Sequence, residues 1–163
     1  MALQSKTWKS ISFLIQKLIH KFTNIVLDAE AIDNYDFSGK KILLTPHSGE
    51  LKKLGVTRTV DAISDFSKVN KITILLKGKI DTIAGGISVK YNSSGHARMA
   101  VGGSGDILAG FCGSLLAKGL SPFEAGRLAS YANGIAGEKA FQKYGSGFLP
   151  TELSLMLSKI LKK

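Results

Sequence analysis

A single cysteine, Cys112, stands in 163 residues. Without a second thiol there can be no intrachain disulfide, and the chain is expected in a reducing compartment, the cytoplasm. Cys112 lies in an apolar helical stretch beside Gly113, so it reads as a small core residue and not as a nucleophile. Acidic residues are also scarce. Twelve Asp and Glu stand against 22 Lys and Arg, a formal charge of +10. That excess suits nucleic acid, anionic lipid or phosphorylated ligands. The lysines are spread along the chain, however, and pair only at Lys40-Lys41, Lys52-Lys53 and Lys162-Lys163. A solvated basic surface explains them better than a nucleic-acid stripe. No apolar run approaches the ~20 residues of a membrane span. The N-terminal "MALQSKTWKSISFLIQKLIHKF" is interrupted by Lys9, Gln16 and Lys17. It lacks the apolar core of a signal peptide and reads as an amphipathic helix. There is no repeat, low-complexity tract, linker or zinc-ligand spacing. One domain, residues 1–163, is expected, with neither nucleic acid nor membrane as partner.

What is present is an alternation of helical and strand patterns. Trp8, Ile11, Ile15, Leu18, Ile19 and Phe22 recur at helical spacing. "NIVLDAE", "KKILLTPHSGE" and "KITILLKG" are three short apolar runs without strict alternation, as expected of parallel strands covered on both faces. A helix is predicted over Thr57–Val69, and a hairpin in "DTIAGGISVKYN" turning at Gly85-Gly86. Helices are predicted over Asp106–Lys118, from Ser121-Pro122 to about Tyr144, and over Pro150–Leu161. The fold class is therefore α/β, with a mostly parallel sheet flanked by helices.

In open parallel sheets, ligands bind beyond the carboxyl ends of the strands. Here those ends are Asp28, Thr45-Pro46-His47 and Lys77-Gly78. The glycine-rich "MAVGGSGDILAGF" opens a helix, whose N-terminal N–H groups favour anions. Asp106 stands where an anion would bind. It is either a helix cap or a base beside a phosphate site, able to accept the proton of an attacking hydroxyl. The motif is neither a Walker A loop nor a Rossmann fingerprint. His47 suits a ligand contact or a plain loop position. Glu50 suits a helix first turn. Asp28 suits support of its strand end. Asn133 and Glu138 suit surface or packing. His96 and Arg98 suit either a phosphate contact or a mobile loop.

"GGSGD" resembles the Gly-Gly-x-Gly-Asp signature of the ribokinase-like superfamily. "VLDAEAI", "LTPHSGEL", "LLKGKIDTIAGG", "NSSGHARMAVGGSGDILAGFCGSLLAKG" and "YANGIAGEKAFQKYGSGFLPTEL" occur in the order and spacing of the ADP/ATP-dependent NAD(P)H-hydrate dehydratases. The similarity runs from about Asn24 to the C-terminus. The family's usual proline after the motif histidine is Ser48 here, and its usual glycine-motif threonine is Ser104.

The resemblance implies a ribokinase-like fold, shortened at the N-terminus to the C-terminal portion of the family pattern. It implies dehydration of hydrated NADH or NADPH at the expense of ADP or ATP, with Mg2+ whose ligands it leaves unknown. Asp106 would be the catalytic base and, with His47, would contact the hydrated nicotinamide. Lys77, Gly78, Lys79, Ile80, Asp81 and Gly105 would contact the adenine nucleotide. Because the family's upstream glycine-rich segments have no counterpart, the chain is expected to associate, as a homo-oligomer or with a partner chain, and to turn over weakly alone. Two alternatives stay open: a small-molecule kinase of the same superfamily, and a nucleotide-binding chain inactive by itself.

Overall fold

A computed structural model describes residues 2–162, with side chains from Ser10 onward. The three apolar runs are strands β1 (Asn24–Leu27), β2 (Lys41–Leu44) and β3 (Thr73–Leu76). They pair in parallel, Leu27 opposite Leu44 and Leu44 opposite Ile74. The hairpin strands β4 (Asp81–Gly85) and β5 (Ser88–Asn92) join antiparallel to β3, giving a mixed sheet of order β1-β2-β3-β4-β5. The hairpin turns at Gly86-Ile87, one residue later than the glycine pair suggests. Gly86 takes φ +61°, while Gly85 is the last residue of its strand and Phe123 occupies the space a Cβ there would need.

Pleating decides which helices each strand residue meets. Ile42, Leu44, Ile74 and Leu76 face one side. There they pack with Ile19 of α1 (Ala2–Lys21), Leu51 of α2 (Ser48–Lys53) and Ile63 of α3 (Val60–Asn70). Leu43, Leu75 and Ile83 face the other. Their cover is α4 (Ser104–Ala117), α5 (Pro122–Tyr144) and α6 (Pro150–Ile160). Helix cover on both faces explains why β2 and β3 carry no polar–apolar alternation. α1 contains Trp8, whose side chain lies outside the described part.

α3 starts three residues later than its apolar pattern suggests, because the Thr59 hydroxyl accepts from Ala62 N and sets the boundary. α4 starts two residues before Asp106, at Ser104. α5 begins where Ser121-Pro122 indicates, with a reciprocal Ser121–Glu124 capping box. Its buried face is a strip of small residues, among them Gly126, Ala129, Ser130, Gly134 and Gly137. A Cβ at Gly134 would lie 2.7 Å from the Ser94 backbone, and one at Gly137 would lie 2.7 Å from Met99 Cγ. These glycines let the segment between β5 and α4 lie directly on α5.

Candidate active site at the strand ends

Asp28, Thr45-Pro46-His47 and Lys77 follow the last residues of β1, β2 and β3, so parallel pairing brings them to one edge. The backbone ties them further: Thr45 N donates to Leu27 O at 3.1 Å and Lys77 N to Pro46 O at 2.8 Å. The side chains then form one network. Lys77 Nζ lies 2.6 Å from Asp28 Oδ1, and Thr45 Oγ1 donates to the same oxygen at 2.8 Å. Glu50 Oε2 is 3.9 Å from Lys77 Nζ. Asp28 thus supports its strand end and fixes the lysine. Both groups are only partly exposed, so the pair is rigid and poorly screened.

His47 caps α2. Its Nδ1 accepts from Gly49 N at 2.9 Å and Glu50 N at 3.2 Å, while its own N–H donates to Glu50 Oε2 at 2.8 Å. With Nδ1 accepting, the ring proton sits on Nε2, 3.3 Å from Glu50 Oε1. The ring folds back over Gly49, where a Cβ would come within 2.8 Å of its Cε1. The His47 side chain is still 60% exposed, so its outer edge is open to a ligand. Glu50 is the first-turn residue its position suggests.

The glycine turn reaches the same place. Gly103 is the N-cap of α4 at φ +97°, and it packs where a Cβ would meet Pro150 at 3.1 Å. A Cβ on Gly105 would sit 3.5 Å from Lys77 Nζ and 3.8 Å from Asp28 Oδ2. The first turn of α4 therefore opens beside the fixed lysine. The N–H groups of Gly105 and Asp106 have no backbone acceptor among the described residues. The Asp106 side chain is exposed, in the first turn and not at the cap, and no described group pairs with it. Ser104 Oγ meets the carbonyls of Met99 and Val101, which anchors the turn.

The loop after β3 has its own brace. Gly78 N donates to Asp81 Oδ1 at 2.9 Å, and Ser130 Oγ of α5 donates to Asp81 Oδ2 at 2.7 Å. Asp81 thus shapes the loop, leaving Gly78, Lys79 and Ile80 exposed on it. Arg58 lies against this loop, its guanidinium 3.3 Å from the position of a Gly78 Cβ. Nothing local in the sequence marks Arg58 or Ser130, because both arrive from separate elements. His96 and Arg98 are tied down. His96 stacks on Phe141 with centroids 3.7 Å apart, and Arg98 Nε donates to Ser146 O at 2.7 Å. Glu138 accepts from Gly95 N at 2.8 Å. Asn133 is buried, its Oδ1 without a hydrogen-bond partner among the described residues. Burial pushes the Cys112 thiol up to about 12, reinforced by the charge of Asp28.

Phosphate-ready N–H groups, a fixed lysine and an unpaired carboxylate at parallel strand ends suit transfer of a phosphoryl group. The sequence profile of NAD(P)H-hydrate dehydratases matches residues 3–159. The chain belongs to this family. It is 37% identical to the ADP-dependent (S)-NAD(P)H-hydrate dehydratase of Cenarchaeum symbiosum, over 94% of this chain and 57% of the relative. The ADP/ATP-dependent dehydratase of Bacillus subtilis, co-crystallised with ATP and Mg2+, superimposes with a TM-score of 0.76 at 27% identity. That match covers 84% of this chain and 53% of the other. A ribokinase-like superfamily protein of Enterococcus faecalis gives a TM-score of 0.81 at 24% identity, covering 93% of this chain and 57% of that one, which establishes the fold alone. The chain spans little more than half the length of each of these three proteins.

Proposed function

We propose that this chain is the C-terminal portion of a ribokinase-like domain. In this reading it supplies the nucleotide site and catalytic base for ADP- or ATP-dependent dehydration of hydrated NAD(P)H. The observation that carries the proposal is the placement of the α4 N-terminus beside Lys77, with the unpaired Asp106 adjoining Gly105.

In this reading Asp106 contacts the hydrated nicotinamide and takes the proton of its ring hydroxyl as that oxygen attacks the terminal phosphoryl group. The free N–H groups of Gly105 and Asp106, with the α4 dipole, stabilise charge on the phosphoryl oxygens. Lys77, held by Asp28, adds a fixed positive charge on the same side. The hydroxyl thereby becomes a phosphate ester, with AMP leaving ADP or ADP leaving ATP; the ring C–O bond then breaks to expel phosphate while the neighbouring ring carbon gives up a proton to solvent, and the new double bond restores the dihydronicotinamide. The exposed edge of His47 contacts the same substrate. Gly78, Lys79 and Ile80 meet the nucleotide from the braced loop, which Asp81 keeps in shape. Mg2+ would be carried by the nucleotide, held by its phosphate oxygens, and would neutralise part of their charge. Among the described residues no three His, Cys, Asp or Glu gather to hold it alone. The working form is an assembly, of further copies or with a partner chain, in the cytoplasm.

The test is calorimetric titration with ADP and ATP in magnesium, followed by addition of hydrated NADH while NADH absorbance is recorded. Nucleotide binding with weak turnover by the chain alone is the expected result. Binding of neither nucleotide would remove the reading. A stable phosphate ester as product, without NADH, would transfer it to a small-molecule kinase.

A further inference from the structure

We propose that Arg58 binds phosphate from the α3 side of the loop after β3, and that it holds the phosphate which stays with the leaving nucleotide. This role rests on the nucleotide reading given above and adds a residue to it.

The sequence around this arginine is Thr-Arg-Thr, just ahead of α3. Thr59 is the N-cap, its hydroxyl accepting from Ala62 N, and Thr57 Oγ1 lies 3.3 Å from Thr59 Oγ1. The backbone on either side of Arg58 is thus fixed, and its side chain leaves from a defined point. A cation beside a helix N-terminus opposes the macrodipole, so α3 gains nothing from this charge. Among the described residues no carboxylate forms an ion pair with it. The acids around the loop are engaged elsewhere: Asp81 by Gly78 N and Ser130 Oγ, Asp28 by Lys77 and Thr45, Glu50 by the His47 N–H. The other two arginines have partners. Arg98 Nε donates to Ser146 O, and Arg127 lies over the Phe123 ring.

The Arg58 guanidinium nonetheless has a fixed neighbour. A Cβ on Gly78 would stand 3.3 Å from Arg58 Nη2 and 3.1 Å from Ile80 O. Glycine at this position lets the guanidinium lie directly against the loop backbone. Laying a long side chain there costs rotamer entropy, which a charge-assisted contact with a bound anion offsets.

Alternation along the chain separates Arg58 from Lys77. Leu76 packs on the side of α2 and α3. Lys77 turns to α4, where its Nζ lies 3.5 Å from the position of a Gly105 Cβ. Gly78 turns back to Arg58. The two cations therefore flank the loop from opposite faces of the sheet. Lys77 and the α4 N–H groups stand where the phosphoryl group is transferred in the reading above. Arg58 stands one residue further along, beside the exposed Gly78, Lys79 and Ile80. It is placed for the phosphate that remains on the nucleotide, which for ADP is the phosphate of AMP. A guanidinium presents a planar fork of donors and a permanent charge, which match two phosphate oxygens at once; a lysine offers only a point charge.

The test is a nuclear magnetic resonance titration of the full chain, following the Gly78 and Ile80 amides with ADP, AMP and adenosine in magnesium. Arg58→Gln should weaken ADP and AMP by about tenfold or more and leave adenosine unchanged. Arg58→Lys should fall between the two, because the charge remains and the fork does not. Arg127→Gln removes the same charge elsewhere and should change none of the three affinities. Equal ADP affinity in the unaltered chain and in Arg58→Gln would overturn the proposal. So would an equal loss for adenosine and AMP, which would make Arg58 a brace of the loop and not a phosphate ligand. Failure of the nucleotide reading is distinct: the unaltered chain would then bind none of the three ligands, and the role of Arg58 would fall with it.

Discussion

Asp106 and Gly105 adjoin but answer to different physics. Asp106 is exposed and unpaired, so Asp106→Asn removes only a first-turn charge and should cost less than about 1 kcal/mol of stability. Nucleotide affinity should hold, because the backbone donors remain. Turnover should fall by about 10²–10⁴-fold, measured as NADH formed per molecule. Equal turnover would remove Asp106 from the mechanism. Gly105→Val places its Cβ in ordinary contact with Lys77, so the fold survives. The valine methyls then occupy space that a phosphate needs, and calorimetry should show ADP affinity reduced about tenfold or more. The positive φ belongs to Gly103, not Gly105, so backbone strain is no part of this loss. Cys112 carries a separate prediction. Its thiol is raised from 9.0 to about 12 by burial, so the native protein should resist iodoacetamide at about pH 8 while the unfolded chain reacts. Above pH 9.0 the unfolded thiol ionises and the native one does not. The unfolded state then binds fewer protons, and this group's contribution to stability falls from pH 9.0 to about 12. Denaturant titrations across that range should show a shallower decline for Cys112→Ala.

At the scale of an element, α5 and α4 use glycine for opposite reasons. Gly134 faces the Ser94 backbone, and Gly134→Ala should destabilise by about 2 kcal/mol through overpacking. Gly110 in α4 has nothing within 4 Å of its Cβ position. Gly110→Ala should stabilise by about 0.5–1 kcal/mol, the ordinary helix gain. Urea unfolding of both variants tests the contrast, and equal shifts would mean that Ser94 moves freely. The element boundaries follow the same logic of local against tertiary signals. Ser121-Pro122 and Pro150 mark helix starts in the sequence because capping and fixed φ act within one turn. The starts of α3 and α4 are displaced from their apolar patterns because a cap hydroxyl and a glycine turn set them.

At the scale of the molecule, the two edges of the sheet divide its behaviour. The proposed nucleotide end stands on β1, β2 and β3 ends that are already tied together. Adenine-nucleotide binding is therefore expected from the chain alone. Among the described residues β1 is the outer strand of the sheet, and hydrated NADH should be turned over weakly by the chain alone. NADH formation per molecule, with ADP affinity followed in parallel, reads the two properties separately. Full turnover by the chain alone would show that it holds the substrate without further strands.

The sequence by itself determined the α/β class, the three parallel strands and the glycine turn, though β1 lies at the sheet edge with only Leu27 buried. Each is written in contiguous residues, by apolar runs, caps and chain-reversing glycines whose physics is local. It also placed His47, Lys77 and Asp106 at strand and helix ends, because parallel strands carry their carboxyl ends to one edge. Only the tertiary structure decided that Lys77 is held by Asp28 and lies against Gly105, and that Ser130 braces Asp81. It alone brought Arg58 to Gly78 and laid the Ser94 segment on Gly134. These contacts join residues from separate elements, and their distances depend on how helices of small residues settle on the sheet. No spacing along the chain encodes that packing.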